Sequence, residues 1–228
     1  MKSYFITGTD TDVGKTIVTA GLAAAIQKKG VDIGIMKPFA AGTSQSVGFK
    51  SKDTELLANA AKVNDPEDLV NPQFFNIPAS PYTAAQNLGV DVDVQLVMNS
   101  FKQLSKIHDM MLVEGMGGIM TPILKNYFVT NLIREMNLDV ILITRSRIGT
   151  INHTLMTCKM CVDNGIRIKG IIINNFDIDG YPSTELKRDI EKLTTFPVLG
   201  IIPRLDNFEI DLLRNTIEKE IDIESLLN

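Results

Sequence analysis

Cysteine is nearly absent from this chain of 228 residues, with two copies, Cys158 and Cys161. Their C-x-x-C spacing is one that redox and metal sites use. It falls inside a helix-like stretch, and no second Cys/His pair supports a zinc site, so both are expected to be reduced, structural thiols. Excess positive charge is missing too. The net charge is −4 and the pI about 5.3, which argues against a nucleic-acid binder with its basic patch. No apolar run reaches the roughly 18 residues of a membrane span. The opening MKSYFITGT enters a strand pattern at once, without the apolar core and cleavage site of a signal peptide. Internal repeats and low-complexity linkers are also lacking. These absences leave a cytoplasmic enzyme as the expectation, a single α/β domain over residues 1–228.

What is present is an alternation of strands and helices. Apolar residues make up 44% of the chain, enough for a sizeable core at this length. Strands are predicted at Tyr4–Thr7, Ile33–Met36, Met110–Val113, Val140–Thr144, Ile168–Ile173 and Val198–Ile202. Helices are predicted at Lys15–Lys29, Asp53–Lys62, Val92–Ile107, Asn131–Met136, Thr150–Asn164 and Ser183–Leu193, with short runs at Glu209–Glu218 and Ile223–Leu227. Residues 40–52 read as a Gly/Ser-rich loop. Val63–Leu88, which carries four prolines, reads as irregular. Runs such as DVILIT and KGIIIN do not alternate in polarity, which marks strands buried on both faces of a parallel sheet. The fold class is therefore α/β: a single doubly wound, mostly parallel sheet with helices on both faces, like a P-loop NTPase. In such sheets ligands bind beyond the carboxyl ends of the strands, so the loops after each apolar run are the informative ones.

The first of these, TGTDTDVGKT (residues 7–16), places Gly14-Lys15-Thr16 between a strand and a helix. Its glycines let backbone N–H groups turn toward phosphate, and the helix adds its positive N-terminal end. Lys15 is suited to neutralising the β- and γ-phosphates and Thr16 to placing a hydroxyl on Mg²⁺. The usual loop has four residues between its glycines; here Thr9, Asp10, Thr11, Asp12 and Val13 make five. Mg²⁺ takes one or two carboxylates beside phosphate oxygens. Glu114 follows an apolar strand and precedes Gly115, Gly117 and Gly118, which admit a ligand close to backbone. Asp53 fits either an ordinary helix cap or a metal ligand. Lys37, between a buried strand and Pro38, fits either a surface position or the cleft.

Taken in order, GTDTDVGKT, KPFAAG, VEGMGG, GTINH, and NN followed by IP resemble the dethiobiotin synthetase family over nearly the whole chain. The five-residue spacing in the first loop is typical of that family. The resemblance implies an ATP- and Mg²⁺-dependent enzyme that carboxylates 7,8-diaminopelargonate with CO₂ and closes a cyclic urea, through a carbamate and a carbamic–phosphoric anhydride. It implies catalytic roles for Lys37, Lys15 and Thr11, and metal ligation by Thr16, Asp53 and Glu114. ATP would be met by Asp12, Val13, Gly14, Lys15, Thr16, Ile17, Asp53, Glu114, Gly115 and Gly117, with Asn174 reading adenine and Pro203, Arg204 and Leu205 bordering the base. Substrate would meet Lys37, Ala41 and Gly118. In the family's homodimer the helix start at Gly149, Thr150, Ile151 and Asn152 comes from the partner subunit and receives the substrate carboxylate.

The chain departs from the family pattern at three places. Ala41 stands where the family often has a substrate-contacting Ser, so that contact is either lost or replaced by a backbone group or Thr43. Asp12 stands where Glu is frequent. Arg145 and Arg147 add positive charge that either serves the substrate carboxylate or, the preferred reading, is surface charge; His108 reads as a solvated helix end. A dimeric ATPase switch of the partition or septum-site kind shares the fold class. It would carry a lysine early in the phosphate loop, where this chain has Gly8-Thr9-Asp10, and membrane-binding examples have a basic tail where this one is acidic. An amidase-like ATP ligase would need a glutaminase domain for which there is no room.

Overall fold

The computed structural model describes residues 2–42, 50–175, 177, 179–205 and 207–227. The elements run β1 (Tyr4–Gly8), α1 (Lys15–Lys28), β2 (Ile33–Met36), β3 (Phe39–Ala41), α2 (Lys52–Ala61), α3 (Glu67–Val70), β4 (Gln73–Phe75), α4 (Pro81–Leu88), α5 (Val94–Ile107), β5 (Met110–Gly118), β6 (Pro122–Leu124), β7 (Tyr127–Phe128), α6 (Val129–Met136), β8 (Asp139–Arg145), α7 (Thr150–Asp163), β9 (Ile168–Asn175), α8 (Ser183–Thr194), β10 (Val198–Pro203), α9 (Ile210–Glu220) and α10 (Glu224–Leu227). Six strands form the main sheet in the order β10-β9-β8-β1-β5-β2, every neighbouring pair parallel. Among the described residues no helix is long and apolar enough to cross a membrane.

The unbroken apolar strands divide their side chains between two cores, as the two-residue period of a strand requires. Tyr4, Ile6, Leu112, Ile141, Ile143 and Ile172 face a core shared with α1, α2 and α9. Phe5, Val113, Val140, Leu142, Ile171 and Ile173 face the other, built with α4 to α8. Helices thus cover both sheet faces, as the sequence predicts. On the first face the Tyr4 hydroxyl donates to the Leu226 carbonyl at 3.0 Å.

Three segments differ from the sequence reading. The stretch 63–88, read as irregular, holds α3, β4 and α4. Pro81 does not break α4 but starts it, because proline at the first helical position loses an N–H that has no partner there; the Ser80 hydroxyl caps the turn by accepting from the Thr83 N–H at 3.2 Å. The strand expected to stop at Val113 runs on to Gly118, so Glu114 sits within the sheet opposite Ile6. The short antiparallel pair β6–β7 carries no pattern long enough to announce it. Much of the 40–52 loop, Thr43 included, lies outside the described residues. The cap of α2 is Ser51, whose hydroxyl accepts from the Asp53 N–H at 3.1 Å, which leaves the Asp53 carboxylate free of capping duty.

Candidate active site

The phosphate loop joins β1 at the sheet centre to α1. Asp12 and Gly14 both take positive φ, 56° and 85°, the latter a conformation that favours glycine. A side chain at Gly14 would also run into the Asn174 amide. Gly14 caps α1 with no side-chain hydrogen bond and no acid lies in the first turn. The helix start therefore keeps N–H groups free for an anion.

Beside it lies a cavity of about 420 Å³ whose lining includes Thr11, Asp12, Gly14, Lys15, Thr16, Ile17, Lys37, Ala41, Asp53, Gly115 and Gly117. Two of its lining groups, Thr16 and Lys37, meet at Glu114, which is buried behind the lining. The Glu114 Oε1 accepts from Thr16 Oγ at 2.8 Å and from Lys37 Nζ at 2.6 Å, and Lys37 Nζ also donates to Asp53 Oδ2 at 2.6 Å. Lys37 is placed in the cleft, not at the surface: it is 6% exposed, at the end of β2, and the Asn71 side chain holds its carbonyl at 2.7 Å. Burial opposes its charge, but Glu114 and Asp53 outweigh that and raise its pKa. Lys15 goes the other way. Burial is the main cause, assisted by Lys37 and opposed by Glu114, and it lowers the pKa to about 8. Its ammonium donates to the Asp10 carbonyl at 2.9 Å, across the loop it is expected to serve.

Thr16, Asp53 and Glu114 offer only hard oxygen donors, and Glu114 Oε2 is buried without a hydrogen-bond partner. That set fits Mg²⁺, which needs no more than two carboxylates when phosphate completes its shell. Among the described residues no group of three or more His, Cys, Asp and Glu could hold a metal ion.

A second cavity of about 540 Å³ opens on the far side of Asp12 and Gly14, lined by Ile17, Arg145, Asn174, Ile202, Pro203, Arg204, Leu205 and Phe208. Its wall is mostly apolar, as suits a flat ring. Asn174 ends the apolar run of β9 and donates its side-chain N–H to the Val13 carbonyl at 3.0 Å. Val13 itself is 0% exposed and packs into the core, so only its backbone can serve the site. Arg145 corrects the surface-charge reading. It pairs with Asp177 and reaches the Asp12 carbonyl at 3.4 Å. The signal was available: Arg145 is the last residue of a buried strand, in register with Asn174. Phe208, 54% exposed, had no sequence signal.

A third cavity, about 320 Å³, lies between Thr9, Gly118–Thr121 and the outer side of α7 at His153, Met156, Thr157 and Met160. Thr150, Ile151 and Asn152 line none of these cavities. Thr150 is 3% exposed and turns its hydroxyl inward to Thr144 at 2.6 Å. Cys158 and Cys161 are buried and unbridged, and burial pushes their thiols up to about 11 and 12, which makes them inert at neutral pH.

A parallel sheet with a Gly-Lys-Thr loop at its central strand, a lysine–carboxylate cluster beside it and a ring-sized cavity beyond define a P-loop nucleotide-binding protein. The fold agrees with solved structures: a ParA family ATPase from Chlorobium tepidum TLS (TM-score 0.55, 15% identity, 99% of this chain and 93% of that one) and the MinC:MinD cell division complex of Aquifex aeolicus (TM-score 0.55, 16% identity, 95% and 86%). A family model described as an AAA domain matches residues 2–209. Among curated proteins, the chain is 60% identical over 227 residues to the ATP-dependent dethiobiotin synthetase BioD of Nitrosopumilus maritimus, covering 100% of both. It is 40% identical over 231 residues to that of Bacillus velezensis, covering 100% of this chain and 97% of the other. The chain belongs to the ATP-dependent dethiobiotin synthetase family.

Proposed function

We propose that the chain acts as one P-loop domain that carboxylates 7,8-diaminopelargonate with CO₂ and closes the ring to dethiobiotin, with ATP and Mg²⁺, at the cavity where Lys15, Thr16, Lys37, Asp53 and Glu114 meet. One amine of the substrate captures CO₂ as a carbamate. A carbamate oxygen attacks the γ-phosphorus and ADP leaves, giving a carbamic–phosphoric anhydride. The second amine attacks the carbonyl carbon, phosphate departs and the cyclic urea remains.

Carbamate and γ-phosphate are both anions, and their approach requires fixed positive charge. Lys15, within the phosphate loop, and Lys37, across the cavity, supply it from two sides. The free first-turn N–H groups of α1 hold the phosphates, and Thr11 sits over the transferring group. Thr16, Asp53 and Glu114 would hold Mg²⁺, which shields phosphate charge when bound. Asn174 and the Pro203–Leu205 segment hold the base. The cleft beside Gly118, with Ile119, Met120, Met156 and Met160 along it, suits a flexible polymethylene chain. Ala41 leaves the Ser contact of the family to backbone.

In this reading the protein is a cytoplasmic homodimer, and Gly149–Asn152 of each subunit serve the partner's substrate carboxylate. Ile148 and Met156, 79% and 60% exposed, leave large apolar side chains open near that helix start, which supports the reading. The observation that carries the proposal is the meeting of both lysines with Thr16 and Asp53 around one cavity, with Glu114 bonded to Thr16 and Lys37 behind it, in a chain so similar to dethiobiotin synthetases. An ATPase-switch function has only the fold in its favour. The test is ADP release with MgATP and bicarbonate, with and without the diamine, beside mass detection of dethiobiotin. Diamine-dependent ADP with matching dethiobiotin is expected; ATP turnover indifferent to the diamine, without dethiobiotin, would overturn the proposal.

A further inference from the structure

Four buried or half-buried hydroxyls converge at the end of β8. Thr144, 0% exposed, has its Oγ at 2.6 Å from that of Thr150, 3.0 Å from that of Thr154 and 3.3 Å from that of Thr9. A hydroxyl donates one hydrogen bond and accepts two, so three partners exhaust Thr144. Thr9 opens the phosphate loop, and its N–H is also tied to β8, at the Ile143 carbonyl, 3.0 Å away. Thr150 and Thr154 are four apart and therefore share one face of α7. The other buried side chains of that helix are Thr157, Cys158 and Cys161. Its first turns are thus seated by directed hydroxyl contacts, with Ile151, only partly buried, as their large apolar contact with the core.

One end of this cluster, Thr9, stands on a wall of the third cavity, and the other end, Thr150 and Thr154, lies on the buried face of the helix that forms the opposite wall. Thr9 lines the third cavity from the loop side, and His153, Met156 and Thr157 line it from α7. We infer that Thr144 is a positioning residue: its hydroxyl, shared between Thr9 and the first two turns of α7, sets the spacing between the phosphate loop and α7 and so the width of the substrate cleft. This rests on the proposed function for what the cleft holds, but not for the geometry. Hydrogen bonds fix direction as well as distance, whereas a small apolar residue at 144 would let α7 slide. Thr150 and Thr154 could then bond back to carbonyls of the preceding turn, and the helix would persist with a loosened seat.

The test is Thr144→Val against Thr144→Ser. Valine keeps the shape and removes the hydroxyl. The KM for the diamine is expected to rise about tenfold while the KM for ATP stays within about twofold, since the Thr9 N–H still holds the phosphate loop to the Ile143 carbonyl while α7 loses its seat. Serine should restore the diamine KM. A general loss of stability would not split the two constants or be reversed by serine. A second readout needs no substrate: amide hydrogen exchange at His153 to Leu155 should accelerate in Thr144→Val. Unchanged exchange there would overturn the inference whatever the protein's reaction, while absence of dethiobiotin formation by the unsubstituted enzyme would overturn the functional reading alone. If Thr144→Val does not fold, Thr154→Val removes one arm of the cluster and is held to the same two readouts, with unchanged exchange again decisive against it.

Discussion

Lys37 occupies a position that two kinds of cation can claim. Its ammonium lies 2.6 Å from carboxylate oxygens of both Asp53 and Glu114, the groups proposed to hold Mg²⁺. Lys37→Met should therefore tighten divalent-cation binding in the absence of nucleotide, about tenfold in a Mn²⁺ titration, because a neighbouring positive charge no longer opposes the metal. The same variant should lose most turnover. Weaker or equal Mn²⁺ binding would separate the lysine from the metal ligands. Lys15→Ala should lower kcat by at least about a thousandfold, the scale of losing charge stabilisation at a transferring group, as read by ADP release in the presence of the diamine. The lysines were legible because each follows a buried strand or sits in a Gly-Lys-Thr loop. Asn71 was not, since its importance lies in the Lys37 carbonyl that it holds; Arg145 had the same strand-end signal as Lys37, but its partners, Asp177 and the loop backbone, were not readable.

Helix α1 shows what an element adds beyond its residues. Its buried positions extend nearly all round, from Lys15 through Val18 to Ile26, because it packs against α2 and α9 as well as the sheet. The small-residue face around Ala20, Gly21, Ala24 and Ala25 was visible in the sequence, but its partner was not. A side chain at Gly21 would come within 2.6 Å of Ile217 Cγ1 and 3.3 Å of the Leu213 carbonyl, so Gly21 lets α9 approach. Gly21→Ala should destabilise the protein despite alanine's better helix propensity, worth about 1 kcal/mol, because overpacking costs roughly 1–3 kcal/mol. A urea midpoint that rises would show that α9 yields at no cost. Elements were legible where long apolar periodicity marked them. They were missed where capping decides the outcome, as at Ser80-Pro81, or where pairing spans two or three residues, as in β6–β7.

At the scale of the whole molecule, charge at the amino end of the sheet ties the fold together. His108, read from sequence as a solvated helix end, is instead held between two carboxylates, with Nδ1 2.9 Å from Asp32 and Nε2 3.0 Å from Asp65. Only the imidazolium can donate to both. Burial works against its charge, but the two carboxylates prevail and raise the pKa above the ordinary 6.5. A group whose folded pKa is raised contributes stability that is full below its unfolded value and is lost as pH rises through the folded one. The thermal midpoint of the protein should therefore fall as pH increases upward from about 6.5, and His108→Asn should flatten that dependence. A variant with an unaltered slope would show that the pair of carboxylates is not coupled to folding. Sequence could not supply this contact, because the three partners come from segments brought together only by the sheet.

The hydrogen bond from Asn174 to Val13 spans 161 positions of the chain. A ribosome adding about 5–20 residues per second finishes the phosphate loop early, then works for roughly ten to thirty seconds before the asparagine that braces it exists. Until then the loop is a sequence without a brace, and the cavity proposed for the base lacks most of its walls. A nascent or prematurely ended chain would be a poor trap for the cell's nucleotides, and nucleotide retention would report that synthesis had passed the ninth strand.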